Sequence, residues 1–206
     1  MASILQVEQI QGPTSGASAN TITIPSGQTL DVNGTLSGDG SALTGTGGIL
    51  QVVHSGQITS TAFSVTGTTA TEITPLTLSI TPTASDSKIL WMGNVTQGAR
   101  EDSFVGYYLQ RNGTNLDIGD SAGSATRFTF GFHQDAGHGQ YDIYSTHFQY
   151  LDSPNTTSST EYKLLVTPLR TSSLTWYLNR PHNLDDANRS TGTSSVILME
   201  IAAGVL

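Results

Sequence analysis

Apolar and polar residues alternate through short runs of this sequence, and nowhere do the apolar ones keep the 3.6-residue period of a sustained helix. A period of two gives each run one apolar face, which only another sheet can cover economically. The runs are "ILQVVHS" (49–55), "AFSVTG" (62–67), "EITPLTLSI" (72–80), "KILWMGNV" (88–95) and "FVGYYLQ" (104–110), then "RFTFGFH" (127–133), "YDIYSTHFQYL" (141–151), "YKLLVTPL" (162–169), "LTWYLN" (174–179) and "SSVILMEIA" (194–202). Turn signals separate them, the clearest being "RNGT" (111–114), an Asn-Gly hairpin leading into "NLDIG". Gly, Ser and Thr make up about 37% of the chain, while charged residues are 12%. With Glu, Lys and Arg scarce and Thr, Val and Ile abundant, the expected fold is all-β, a β-sandwich of the jelly-roll kind.

The chain divides into two regions of different character. Residues 1–48 hold strands too short and too sparsely apolar to fold alone: about ten apolar side chains cannot offset an ordering cost of about 1–2 kcal/mol per residue. Within this region Ile22, Ile24, Leu30, Val32 and Leu36 form a stripe at even positions, among "PSG", "NG" and "GDG" turn signals. A stripe without an internal partner is expected to pack against identical stripes in neighbouring copies, most simply around a three-fold axis. Residues 49–206 are enough to bury a real core as a sandwich. In the last run both faces are apolar, so it is expected to be a central strand with one face in the sandwich and the other at a subunit contact. Trp91 is expected in the core. Phe128, Phe130 and Phe132 are expected to share one face.

Charge excludes several classes of partner. The formal net charge is −8, and no Lys or Arg precedes Lys88. A nucleic-acid binder needs clustered cations against phosphate, and a peripheral protein needs them against anionic lipid. No apolar run approaches the roughly 18–20 residues of a membrane-spanning helix, so no membrane insertion is expected. The opening "MASILQVEQIQGPTSG" lacks the basic and apolar blocks of a secretory signal, so the five Asn-x-Ser/Thr sequons, beginning with Asn33, read as compositional. Cysteine is absent, which removes disulfides and thiolate metal sites.

The residues that could carry chemistry are few. "GDSAG" (119–123) places Ser121 in a G-x-S-x-G frame, but the residues after it have a strand pattern where a nucleophile elbow needs a helix. "HQDAGH" holds His133, Asp135 and His138, with His147 on the next strand, and "NLDDAN" offers Asp185 and Asp186 to calcium; neither has a recognised ligand spacing. Glu101, Asp102, Asp185 and Asp186 do not define a glycosidase pair. No catalytic residue, metal or cofactor is therefore assigned, and the protein is not expected to be an enzyme. Recognition fits better. "RPHNLDDANRS" (180–190) gathers Arg180, His182, Asn183, Asp185, Asp186 and Arg189 in one loop after Trp176 and Tyr177, which must face opposite ways. "QGARED" (97–102) is a second candidate loop.

The segments "MASILQVEQIQGPTSGA" and "ITIPSGQTLDVNGTLSGDGSALTG" resemble the N-terminal portions of fibre and other virion-attached proteins of tailed bacteriophages, especially those of marine and cyanobacterial hosts. "SKILWMG" (87–93), "YLDSPNTTSSTEYKL" (150–164) and "SSVILMEIAA" (194–203) resemble the trimeric jelly-roll modules that end many of them. The resemblance implies a homotrimer in the virion, at the tail or on the capsid surface, made in the host cytoplasm. Its N-terminal segment would bind other virion proteins, and its outer module would contact a host glycan or protein. It also implies kinship of shape with the C1q and tumour-necrosis-factor families. The alternatives are a capsid decoration or head-fibre protein, and a carbohydrate-binding or depolymerising module.

Overall fold

The computed structural model describes residues 48–206, apart from 60, 68, 101, 135–138, 170–173, 186, 188, 205 and 206. All of these belong to Gly45–Leu206, the second of the two compact units into which the chain divides. Ile22, Ile24, Leu30, Val32 and Leu36 lie outside the described residues, as do Glu101, Asp135, His138 and Asp186.

The described residues are all-β. The strands are β1 (Ile49–His54), β2 (Ser64–Gly67), β3 (Thr71–Glu72), β4 (Leu78–Ile80), β5 (Lys88–Ala99), β6 (Ser103–Arg111), β7 (Thr114–Leu116), β8 (Phe130–Gln134), β9 (Tyr144–Asp152), β10 (Thr160–Pro168), β11 (Leu174–Leu178) and β12 (Ser195–Ile201). Two 3-10 turns, Thr74–Leu76 and Gly139–Tyr141, interrupt them. Every pairing between these strands is antiparallel. In the first sheet β1 pairs with β12, β12 with β5, and β9 runs along the opposite side of β5. Because β5 outruns β12, β11 takes over the same side from Gln97 to Ala99 and carries β2 beyond it. The second sheet is built on β6 and β10; β7 and β8 share the outer side of β6, while β3 and β4 share that of β10.

The two sheets close over one core as a β-sandwich. Alternation selects what enters it: Val196 and Leu198 from β12, Ile89, Trp91 and Val95 from β5, Val105, Tyr107 and Leu109 from β6, and Tyr162, Leu164 and Val166 from β10 are all buried. Each large side chain so placed contributes about 1.5–3 kcal/mol relative to leaving it in water. The polar tip of Trp176 is satisfied across the sheets: its indole N–H donates to the Tyr107 hydroxyl at 2.7 Å. Trp91 is fully buried and meets Phe148 and Tyr162 edge-on.

Three local expectations change. Residues 72–80 are not one strand: Pro75 lacks the N–H a ladder needs, and a 3-10 turn there buries both Ile73 and Leu76, three residues apart. β5 runs four residues past Val95. Its polar stretch is buried because it is hydrogen-bonded, with Gln97 Nε2 donating to Thr146 and Thr96 Oγ1 donating to the Thr193 carbonyl. This also removes Gln97–Ala99 from the expected "QGARED" loop. Finally, Phe130 and Phe132 face the core, but Phe128 precedes the strand and folds over the opposite face, against Gly106 and Gly131.

One carboxylate in the sandwich is linked to pH. Glu200 is fully buried on β12 and accepts from Gln51 Nε2 at 2.6 Å and from the Thr83 N–H and hydroxyl at 2.7 Å. Burial alone would raise its pKa; the donors from Gln51 and Thr83 outweigh that and hold it below its ordinary value. A lowered folded pKa gives stability that is present above the unfolded value of about 4.3 and is lost as pH falls through the folded one. Denaturant titrations from pH 7 to pH 3 should therefore show a loss of stability that the Glu200→Gln variant, already weakened at pH 7, shows to a smaller degree.

Candidate functional site

Two surfaces of the sandwich carry features that folding alone does not use. The first is the outer face of the first sheet. Register places Val52, Met199, Leu90 and Leu151 side by side on β1, β12, β5 and β9, an apolar row running across four strands. The adjoining rows add Ile197 beside Met92 and Ile201 beside Ile49. Ile49, Leu50, Val52 and Leu151 are 56, 47, 52 and 45% exposed, each a large aliphatic side chain left about half in water. A bulge between Ile49 and Gln51 turns Leu50 outward, and β1 is itself an edge strand. No carboxylate lies in these rows; Glu200 and Asp152 belong to the same strands but point into the core. Higher on the same face, His54, Met92, Asn94, His147 and Ile197 surround a shallow depression of about 340 Å³.

The second surface lies at the far end of β5, where β9 begins and β11 finishes, both beside Gln97. Asn179 ends β11 in a left-handed conformation (φ 62°), which an asparagine tolerates better than most residues. Its buried amide donates to the Ile58 carbonyl at 2.6 Å and accepts from the Ser194 hydroxyl at 2.7 Å. This fixes the starting direction of loop 180–190. Trp176 points into the core and Tyr177 outward. The Arg180 guanidinium lies 3.8 Å above the Tyr177 ring and donates to the carbonyls of Thr61, Pro181 and His182, so Arg180 shapes the loop. His182 pairs through Nδ1 with Asn183 Oδ1 at 2.9 Å. The Asn183 N–H donates to the Gln140 carbonyl at 2.9 Å, and Arg189 sits 4.0 Å over the Tyr141 ring. Leu184 and Asp185 are exposed at the loop's crest.

Compared with known proteins, the sequence matches no family model and no curated protein.

The remaining candidate residues are scattered. Ser121 is exposed in an irregular connection that continues into β8, so no strand-to-helix elbow is formed. His133 stacks on Phe104 at 3.9 Å and lies 3.5 Å from Asp102, on the second sheet, whereas His147 lies on the first. Among the described residues no three His, Asp or Glu side chains are grouped as a metal would need. What sequence reasoning missed is the partner of loop 180–190: Gln140 and Tyr141, about 45 residues earlier, where Tyr141 opens a run whose alternation reads as strand and Gln140 directly precedes it. The glycine signal at 137 and 139 marks a break there, but nothing local says what packs on it.

Proposed function

We propose that this chain is a non-enzymatic structural subunit of a virus particle, a homotrimeric appendage of the tail-fibre type found in tailed bacteriophages. In this reading residues 1–48 attach it to other virion proteins and the sandwich meets the host surface. The observation that carries the self-assembly is the apolar row Val52–Met199–Leu90–Leu151 on the solvent side of the first sheet. Contiguous apolar surface of this kind marks an interaction site, and copies of one chain are the partner it suits best. Two molecules of net charge −8 repel unless they meet through surface free of carboxylates, and this face has none in its rows. Closed rotational symmetry then covers the face in every copy. The resemblance of the N-terminal segments and of "SKILWMG" and "SSVILMEIAA" to phage appendages supports the particle and the attachment role. Attachment by such an assembly gains from repetition, since several weak sites on one particle act at high effective concentration.

Light scattering tests the assembly directly. The full chain should have a mass three times 21.7 kDa. Met199→Glu places a charge at the centre of the row and should give a folded monomer, with an unchanged far-ultraviolet circular dichroism spectrum. A monomeric wild-type chain overturns the trimer, and an intact trimer in Met199→Glu overturns this face as its interface. Gold-labelled antibody on virions then separates tail from head: label over the capsid would replace the tail-fibre role by a decorating one.

A further inference from the structure

We infer that the end of the sandwich beside loop 180–190 contains a subsite for one neutral hexose ring, formed by Tyr144, Asp142, Arg189 and Ser190. These residues, with Tyr141 and Ile143, line a polar depression of about 350 Å³. That is the lower end of the size range for small-molecule sites, room for one sugar ring and not for several. The inference rests on the attachment role proposed above and names the chemistry that role would use.

The four side chains divide the work that a hexose demands. A pyranose has a patch of C–H groups on one face and hydroxyls around its rim, so it needs an aromatic surface beside convergent polar groups. Tyr144, at the first position of β9, is 39% exposed and offers the aromatic surface; it also meets the Phe132 ring, with centroids 5.8 Å apart. Asp142 is exposed two residues earlier, and its two carboxylate oxygens can accept from neighbouring hydroxyls. Arg189 brings a guanidinium, held over Tyr141, and Ser190 adds a hydroxyl that both donates and accepts.

The site is held in place before any ligand arrives. Asn183 bonds Gln140 twice, through its N–H to the Gln140 carbonyl at 2.9 Å and through Nδ2 to Gln140 Oε1 at 3.3 Å. The two segments that supply the depression are thereby tied together, and ordering them costs little on binding. Charge selects among sugars. Within the depression Arg189 balances Asp142, so selection against uronic and sialic acids falls to the chain's net charge of −8.

The test is a saturation-transfer NMR titration of the full-length protein with methyl glycosides of glucose, galactose and mannose, and with methyl glucuronide as the anionic comparison. At least one neutral glycoside should bind with a dissociation constant in the millimolar range typical of a single shallow site, and the glucuronide should bind more weakly. Tyr144→Ala and Asp142→Asn should each reduce binding at least tenfold, while Tyr144→Phe, which keeps the ring, should retain it. All three variants change surface positions, and thermal melts verify that they remain folded. Absence of binding by all three neutral glycosides, preference for the glucuronide, or binding unaffected by Tyr144→Ala and Asp142→Asn each overturns the subsite. Light scattering on the same samples reports assembly separately, so loss of the sugar site and loss of the trimer are distinguishable.

Discussion

Asp152→Ala is expected to destabilise the sandwich by about 3–5 kcal/mol, the cost of breaking a buried ion pair by removing one partner. Asp152 ends β9 on the first sheet and is 4% exposed. Its carboxylate accepts from Arg111 of β6 at 2.8 Å on both oxygens and from the Tyr162 hydroxyl of β10 at 2.6 Å. Both donors belong to the second sheet, so one carboxylate joins the two layers. Its removal leaves a guanidinium only a quarter exposed, still bonded to the Ser153 carbonyl but without its counter-charge, and a buried phenol without its acceptor. Burial and then the hydrogen bond to Asp152 push the Tyr162 phenol far above its ordinary value, so it stays protonated and cannot substitute for the missing charge. Asp152→Asn keeps the shape and one acceptor and should cost about half as much. Urea unfolding of the three proteins decides it; an Asp152→Ala loss below about 1 kcal/mol would show that the bridge does not hold the layers together.

The second large effect is expected at Gly98. A Cβ there would lie 2.6 Å from the Arg180 carbonyl oxygen, 2.7 Å from Pro181 Cα and 3.0 Å from the Asp142 carbonyl oxygen. All three are main-chain atoms, so no side chain can rotate away, and the loop itself must lift. Gly98→Ala should cost about 2–3 kcal/mol by overpacking. It should also displace segments 140–142 and 180–183 together, abolishing hexose binding in the NMR titration. Gly113→Ala is the contrast: open space surrounds that position, and only its φ of +85° resists a side chain, so a loss of about 1 kcal/mol with sugar binding intact is expected. Thermal unfolding together with the titration separates the two kinds of glycine.

The sandwich was legible because its strands alternate and its turns are marked. Asn112 and Gly113 both have positive φ, at 46° and 85°, as an Asn-Gly hairpin requires, and Arg111 pairs with Thr114 as expected. Trp91 was readable as core from the apolar residues around it. The run 72–80 misled because Leu76, Leu78 and Ile80 keep a period of two straight through a turn made by Pro75. The far half of β5 was hidden because Thr96 and Gln97 are buried by hydrogen bonds, which composition cannot register. Of loop 180–190 the sequence conveyed the polar content but not the division of labour. Arg180 is engaged with Tyr177 and main-chain carbonyls, whereas Arg189 lines the depression beside Tyr144. That difference depends on which distant segment each arginine meets.

The way the chain enters the sandwich has a mechanical consequence. Ile49 at the start of β1 pairs with Ile201 near the end of β12, and the Ala202 N–H bonds the Gly48 carbonyl at 3.0 Å. Tyr144 and the depression lie opposite Gln97, at the other end of β5, roughly 30 Å along the strands at 3.3 Å per residue. In the attachment proposed above, tension between a bound surface and the chain preceding Gly48 acts along the axis of β1. The rungs joining β1 to β12 then share the pull in shear, and none can be peeled away singly.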